Sequence, residues 1–240
     1  MIFELKRAIR NRFLILFILA NILNVILGLI LLTTIDGISV ITFQNLFESV
    51  YTVFTQFGSL LFSALIISMF YIDYKEKNIF FYYKLGLSPL KYYISKILML
   101  IAISFFSSSL VSFLICCNNF SFTNFIIVFL KIECVVIYYI IIMSTIAFIV
   151  PNFMMAFFIN FVLWIVGIII STIGHFFEYF AYFDASNKDY KFLMKYVDNR
   201  VDFNDVIIQI MHNYIFVILV FVICFIIIFL CRKRWFSNGV

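Results

Sequence analysis

The sequence predicts an all-α polytopic membrane protein with six transmembrane helices. Its 240 residues are 65% hydrophobic and only 12% charged, with a mean hydropathy of +1.15. A soluble domain is about 45–50% apolar and about 25% charged. The apolar residues also gather in runs long enough to cross a bilayer, and basic residues flank these runs. We therefore expect a single transmembrane domain over residues 1–240.

Each span needs about 20 mostly apolar residues. Lys131 and Glu133 interrupt the fourth run, and a lysine at the bilayer centre costs roughly 2.5–3.5 kcal/mol. We expect Lys131 to reach outward near one end of its span, and a later start at Ile132 would leave the number of spans unchanged. The first run is too long for a cleaved signal peptide and is expected to stay as an anchor. The predicted spans are about 13–33, 50–72, 97–117, 125–150, 153–174 and 209–231.

The distribution of basic residues predicts that both termini are cytoplasmic. Lysine and arginine concentrate in the cytoplasmic loops of membrane proteins. The opposite side has one long loop, in which four basic residues are diluted by six acidic ones. Because the basic residues flank separate spans instead of forming one face, we expect no nucleic-acid partner. Twelve basic residues fall on the cytoplasmic side: Lys6, Arg7, Arg10, Arg12, Lys75, Lys77, Lys84, Lys91, Lys96, Arg232, Lys233 and Arg234.

Two segments outside the spans have an amphipathic pattern. Residues 1–12, MIFELKRAIRNR, place apolar residues at helical spacing against basic ones, which predicts a short helix in the inner membrane interface. The alternative is an unstructured basic flank. The outer loop, residues 175–209, contains a candidate surface helix over residues 189–197. That helix would cap the outer mouth of a pathway, and the alternative is a solvated connection.

The sequence carries no motif for catalysis. None of the seven glycines precedes a lysine, so the ATP-binding loop G-x-x-x-x-G-K-[ST] is absent and no cofactor is expected. The best metal candidate combines His175, Glu178 and His212, since a zinc site needs at least three protein ligands; ordinary interfacial side chains are the alternative. A proton relay through Glu133 would need a charged partner in a neighbouring span, and none is obvious. We expect that the chain is not an enzyme.

The third predicted span has small polar side chains on successive turns. Such residues favour close helix packing. Lining a substrate route is the alternative, and a route without fixed charge suits an amphipathic or lipidic passenger better than an ion. The serines concerned are Ser104, Ser107, Ser108, Ser109 and Ser112.

Residues 73–96, DYKEKNIFFYYKLGLSPLKYYISK, predict a helical elbow between the second and third spans. Asp73 is expected to cap a short helix, on which Ile79, Phe80 and Tyr83 share one face.

The end of this elbow is marked by three residues with specific backbone preferences. Gly86 suits the left-handed conformation that ends a helix. Ser88 and Pro89 fit the cap and the first position of a new helix that continues into the third span. A loop that only sets topology would need the lysines but not these signals.

The layout resembles the type-2 ABC exporter permeases, the membrane subunits of bacterial drug, lantibiotic and bacteriocin-immunity transporters. The sequence departs from the family pattern at Ile79-Phe80, where a Gly-Thr pair is usual, and at Ser95, where a glycine is usual. The positions that match the pattern are Glu76, Lys77, Gly86, Ser88 and Lys96.

The resemblance implies a membrane subunit of the bacterial plasma membrane that exports an antimicrobial peptide, a drug or a lipid-like molecule. It also implies a cytoplasmic ATP-binding subunit as partner, and a second permease copy or a sister permease. The elbow would then be the coupling helix. The residues implied to contact the ATPase subunit are Glu76, Lys77, Phe80, Tyr83, Gly86, Ser88 and Pro89.

Two other function classes stay open. A non-transporting assembly or sensor subunit has the same composition, and co-purification with an ATPase subunit would separate the two. A membrane-embedded enzyme would require metal binding at the two histidines and Glu178.

Overall fold

A computed structural model of the chain describes residues 2–38, 40–117, 122–173, 175–184, 187–197 and 203–239. These residues form helices and connecting segments, with no strand among them. The α-helices are α1 (Ile2–Arg10), α2 (Phe13–Ile30), α3 (Phe43–Gln56), α4 (Gly58–Lys75), α5 (Asn78–Lys84), α6 (Pro89–Cys117), α7 (Phe125–Ile149), α8 (Phe153–Ser171), α9 (Lys188–Val197) and α10 (Phe203–Gly239). A π-helical turn (Leu31–Ile35) continues α2, and 3-10 helices precede α7 (Phe122–Asn124) and follow α8 (His175–Ala181).

The prediction of an all-helical membrane protein is confirmed. Five helices in the described ranges are long and apolar enough to cross a membrane, and the pair formed by α3 and α4 raises the number to six. The helix that contains the last predicted span is longer than the span itself, because α10 runs from Phe203 to Gly239. Between α7 and α8, Pro151 lies in a short break, and the Asn152 side chain caps α8 by accepting from the Met155 N–H at 3.2 Å.

The second predicted span is not one straight helix. The range 50–72 includes the junction of α3 and α4, where the two helix axes differ by 50°. At this junction the Thr55 hydroxyl donates to the carbonyl of Thr52 at 3.0 Å, and the Tyr139 hydroxyl donates to the carbonyl of Thr55 at 2.7 Å. Hydroxyl groups that bond helix carbonyls bend helices. The Tyr139 contact also supplies a partner for a carbonyl group at the break.

Helix α7 lies at the centre of the bundle and packs against α4, α6 and α10. Helices α2, α8 and α10 lie at its periphery and expose aliphatic side chains on their outer faces. Four of the five serines are buried against this centre, namely Ser104, Ser107, Ser108 and Ser112, whereas Ser109 is half-buried. The Asn21 amide donates to the Ser107 hydroxyl at 3.2 Å, and the Ser104 hydroxyl donates to Glu133 Oε1 at 2.7 Å. These contacts agree with the helix-packing interpretation of the serines.

Helices α2 and α3 approach so closely at Gly28 that no side chain fits between them. A Cβ atom on Gly28 would lie 2.9 Å from the Cα of Val50, and the Ser49 hydroxyl donates to the Gly28 carbonyl at 2.7 Å. A small residue at this point therefore sets the distance between the two helices.

The prediction that Lys131 reaches out of the bundle is wrong. Its side chain is buried, and its Nζ lies 2.9 Å from Asp189 Oδ1 in α9. Asp189 also accepts from Gln209 at 3.0 Å and from the Tyr51 hydroxyl at 3.4 Å. A buried lysine is tolerated here because a carboxylate compensates its charge.

The predicted surface helix exists as α9, and it is not a solvated connection. Its Leu193 side chain is buried, and Tyr190 stacks on Tyr51 with 6.0 Å between the ring centroids. Together with the Lys131–Asp189 pair, these contacts hold α9 against α3, α7 and α10. We call this end of the bundle the far end and the opposite end, which holds α1 and α5, the elbow end.

Candidate functional site at the helical elbow

The elbow has the backbone that its sequence predicts at Gly86, Ser88 and Pro89. Gly86 has φ +77°, and the N–H groups of Gly86 and Leu87 donate to the carbonyls of Tyr83 and Tyr82, both at 3.0 Å. This pattern is a Schellman motif, which ends a helix with a left-handed residue. The Ser88 hydroxyl then accepts from an N–H in the first turn of α6, which begins at Pro89. The chain reverses sharply between α5 and α6 as a result.

The beginning of the elbow differs from the prediction. Asp73 does not cap a new helix, because it lies within the last turn of α4 and points into the bundle. The turn between α4 and α5 is made by Lys77 instead, whose φ is 56°. Helix α5 therefore starts at Asn78, five residues after Asp73, and it is shorter than the predicted helix.

A buried cluster of charged side chains lies beneath the elbow. Asp73 is at its centre and is fully buried, with 0% exposure. Its Oδ2 lies 2.7 Å from Lys96 Nζ and accepts from the Tyr92 hydroxyl at 2.9 Å. The guanidinium group of Arg7 pairs with its Oδ1. Three helices, α1, α4 and α6, thus meet at one carboxylate.

A second carboxylate, that of Glu4, balances the charge of the cluster. Glu4 Oε2 lies 2.7 Å from Lys96 Nζ, and Glu4 Oε1 accepts from the Tyr82 hydroxyl at 2.9 Å. Arg7 in turn donates to the Tyr82 oxygen at 2.8 Å, which connects α5 to α1. The cluster therefore holds two cations and two anions, as a buried group of charges requires for stability. We call Glu4, Arg7, Asp73, Tyr82, Tyr92 and Lys96 the elbow cluster.

The electrostatics of the elbow cluster affect Arg7 and Tyr82. Burial alone would lower the pKa of the Arg7 guanidinium, but the negative charge of Asp73 raises it above its usual value. Burial, together with the charges of Asp73 and Glu4, raises the pKa of Tyr82. Its hydroxyl stays neutral and remains a donor to Glu4.

The outer surface of α5 is apolar and exposed. Phe81 is 61% exposed and Leu85 is 78% exposed, and Phe80 and Tyr83 lie on the same outer side of the elbow. Ile79 is buried, so the prediction that it shares a face with Phe80 and Tyr83 is wrong. The reason is that the elbow cluster and α10 together occupy the inner side of α5. We call Phe80, Phe81, Tyr83 and Leu85 the aromatic face.

Two of the predicted contact residues flank the aromatic face as charges. The Glu76 carboxylate is 60% exposed; it accepts from the Asn78 amide at 2.9 Å and lies 3.8 Å from Arg7. Lys77 is exposed at the turn. The surface formed by α5 and its two turns is therefore an apolar patch with charged edges.

The end of α10 supports the elbow in a way that the sequence did not reveal. The Trp235 ring is fully buried and lies 5.6 Å from the Tyr92 ring, centroid to centroid. Helix α10 also packs along α5. The only sequence signal for this contact is an aromatic residue directly after the basic segment Arg232–Arg234, and that pattern also fits an interfacial anchor.

The metal candidate receives no support among the described residues. Glu178 pairs with Lys188 at 3.2 Å, and His212 is exposed on α10. The side chain of His175 lies outside the described part. No three histidine, cysteine or carboxylate side chains within that part could hold one ion. Glu133 is buried, and its Oε1 accepts from the Ser104 hydroxyl at 2.7 Å.

Comparisons with known proteins agree on one family. The family model described as "Peptide export permease protein YydJ family" matches residues 1–240. A protein of Bacillus subtilis (strain 168), "Probable peptide export permease protein YydJ", is 29% identical over 240 residues, which is 98% of each chain. No solved structure matches the chain.

Proposed function

Since the chain belongs to the YydJ family of peptide export permease proteins, we propose that it exports a peptide as the membrane subunit of an ATP-driven transporter. The observation that carries this proposal is the aromatic face: an exposed apolar patch on a short helix whose inner side is fixed by buried charges. Exposed patches of this kind are typical of interaction sites. The chain lacks an ATP-binding loop, so the energy would come from a separate subunit.

The proposed partner is a cytoplasmic ATP-binding subunit that docks on the aromatic face. The side chains of Phe81 and Leu85 would enter an apolar groove on that subunit. Glu76 and Lys77 would make charged contacts at the rim, where they favour specificity over affinity. The basic residues of the elbow end favour a cytoplasmic location for it. Helix α1 and the C-terminal part of α10 lie at this end, so the same side is proposed for both termini.

The elbow cluster supports the transmission of movement from the partner to the spans. Asp73, Arg7 and Lys96 connect α4, α1 and α6 through direct ion pairs. A displacement of α5 during ATP hydrolysis would therefore move the ends of three helices together. Charges of opposite sign at 2.7 Å in a buried site resist separation. The elbow would thus act as a rigid unit.

Two permease copies, identical or a pair of sister subunits, would form the export route between them. We favour an amphipathic peptide as the passenger. The name of the Bacillus subtilis relative also gives a peptide as the exported molecule.

The test is co-purification of the chain with a candidate ATP-binding subunit, followed by measurement of ATPase activity in nanodiscs. We expect Phe81→Ser with Leu85→Ser to abolish co-purification, because both side chains are exposed and contribute little to folding of the monomer. The matched control is Ile9→Ser, an exposed apolar residue of α1 outside the aromatic face. Glu76→Gln tests whether a charged contact at the rim of the aromatic face contributes to co-purification.

Three outcomes separate the hypotheses. Loss of the ATPase subunit in the double variant, but not in Ile9→Ser, supports docking on α5. Equal retention in both variants would overturn the docking site. If no ATP-binding subunit associates with the intact chain, the chain is an assembly or sensor subunit and the transport proposal fails.

A further inference from the structure

A cavity of about 510 Å³ lies between α4, α7, α8 and α10, beside the junction of α3 and α4. Sites for small ligands typically enclose about 300–1,000 Å³. The 3-10 helix His175–Ala181 and the residues after it cover the cavity on the far side. Aliphatic and aromatic side chains form most of the wall, and Asp184 is the one carboxylate among the described lining residues.

The cavity opens sideways, between the apolar outer faces of α8 and α10. The backbones of α8 and α10 do not come within packing distance of each other in the described ranges. Leu163 and Val166 of α8 and Ile223 of α10 line the cavity and are also exposed on the outer surface. An apolar molecule that is dissolved in the bilayer can therefore enter between these two helices without crossing the protein.

The inner wall carries a polar group without a partner. Ser59, in the first turn of α4, is 3% exposed and lines the cavity, and its Oγ has no hydrogen-bond partner among the described residues. Asn160 of α8 lies next to it and donates to the Ser59 carbonyl at 3.4 Å. One helical turn further along α8, the buried Nε1 of Trp164 also lacks a partner in the described structure.

These two groups indicate the chemistry of a ligand that would suit the cavity. The indole N–H of Trp164 can only donate, and the hydroxyl of Ser59 is available to donate as well. A buried donor without an acceptor costs free energy, which a ligand with carbonyl oxygens would recover. The acyl chain of a lipid has no hydrogen-bond acceptor along its hydrocarbon part, whereas a peptide segment carries a carbonyl group at every residue. The rest of the wall suits apolar side chains.

We propose that this cavity binds an uncharged, apolar segment of the exported peptide, with peptide carbonyls accepting from Ser59 and Trp164, and that the segment enters from the bilayer between α8 and α10. This inference rests on the proposed function and adds to it a binding site within one permease chain. The helix break positions the site, because discontinuous membrane helices commonly border the substrate sites of transporters.

The test uses the fluorescence of Trp164 in nanodiscs made of phosphatidylcholine with a dibrominated stearoyl chain. The chain has two tryptophans, and Trp235→Phe leaves Trp164 as the single reporter. Brominated acyl chains in the lateral opening quench Trp164. The probe is a pentapeptide of alternating leucine and phenylalanine with an acetylated N-terminus and an amidated C-terminus. We expect it to displace the brominated chains, so that the fluorescence of Trp164 rises with peptide concentration and then reaches a plateau.

Three variants in this background define the site. Ile223→Phe narrows the opening and should abolish the saturable recovery, whereas Ile226→Phe, exposed on the same helix but outside the cavity, should leave it unchanged. Ser59→Ala removes one hydrogen-bond donor and should raise the half-saturation concentration of the peptide by about fivefold. The separate variant Trp164→Phe keeps Trp235 as its single tryptophan, so it measures the fluorescence change that does not come from the cavity.

Each alternative gives a different result. Recovery without saturation, or recovery that is equal in Ile223→Phe and Ile226→Phe, would mean that the peptide only partitions into the bilayer. Persistent quenching would mean that a lipid chain is the occupant. Either result overturns the binding site. The assay contains no ATP and no ATPase subunit, so its failure is distinct from failure of the docking test.

Discussion

Replacement of Asp73 by asparagine is the sharpest test of the elbow cluster. The substitution keeps the size of the side chain but removes the negative charge that pairs directly with both Arg7 and Lys96. Loss of one partner from a buried ion pair destabilises a protein by about 3–5 kcal/mol, since it leaves an uncompensated charge in the interior. For a chain of this size, that cost lowers the midpoint of thermal unfolding by roughly 6–20 °C.

The assay is thermal unfolding of the purified chain in detergent, in which size-exclusion chromatography measures the folded fraction that remains after heating. Glu76→Gln is the matched control, because the Glu76 carboxylate is 60% exposed and lies 3.8 Å from Arg7. Exposed ion pairs contribute about 0–1 kcal/mol. The lower unfolding midpoint of Asp73→Asn should also persist at high salt, because salt screens exposed ion pairs much more than buried ones.

A double-mutant cycle decides whether the loss comes from the ion pair. Lys96→Met alone leaves Asp73 and Glu4 with one cation between them and should destabilise the chain. Combined with Asp73→Asn it restores the balance of charge, so the double variant should be more stable than the sum of the single changes by about 0.5–3 kcal/mol. If Asp73→Asn unfolds at the temperature of the control, or if the two changes are additive, the cluster does not hold the elbow.

Three further predictions concern other parts of the bundle. Lys131→Met should lower the stability by about 3–5 kcal/mol, and its combination with Asp189→Leu should recover most of it, because no buried charge then remains unpaired; thermal unfolding measures both, and an equal loss in the double variant would contradict the pairing. Gly28→Ala should reduce the yield of folded protein, since its Cβ would lie 2.9 Å from the Val50 Cα; a chain that folds normally would show that α2 and α3 separate freely. Gly86→Ala should lower the free energy of unfolding by about 1–2 kcal/mol, because an alanine is strained at φ +77°. A larger loss would contradict this explanation, since it would require a steric clash as well.

Local signals in the sequence predicted the parts of the elbow that local chemistry determines. Gly86, Ser88 and Pro89 each act through their own backbone or the nearest N–H groups, and the structure confirms all three. The role of Asp73 was missed because its partner Arg7 is 66 residues away, and nothing near Asp73 marks that contact. Lys131 was misjudged for the same reason, since Asp189 follows it by 58 residues.

The break between α3 and α4 was missed for a different reason. Hydropathy is an average over a window, and the apolar residues on both sides of Phe57 outweigh Thr55, Gln56 and Ser59, so the run is predicted as one continuous span. Gly58 and the nearby threonines permit a bend, but the Tyr139 hydroxyl that bonds the Thr55 carbonyl comes from α7. The exposed face of α5 could not be predicted for a similar reason, because it depends on which side of α5 packs against α10.

Helix α4 connects the two sites that the structure suggests. Its last turn carries Asp73 in the elbow cluster, and its first turn carries Ser59 in the wall of the cavity. Its 18 residues extend about 27 Å, so it crosses most of the hydrocarbon core as one rigid segment. A displacement at the elbow end would therefore be carried along α4 to the junction with α3. Because α9 is fixed at the far end by the Lys131–Asp189 pair, that junction is where the change of angle would occur, beside the cavity.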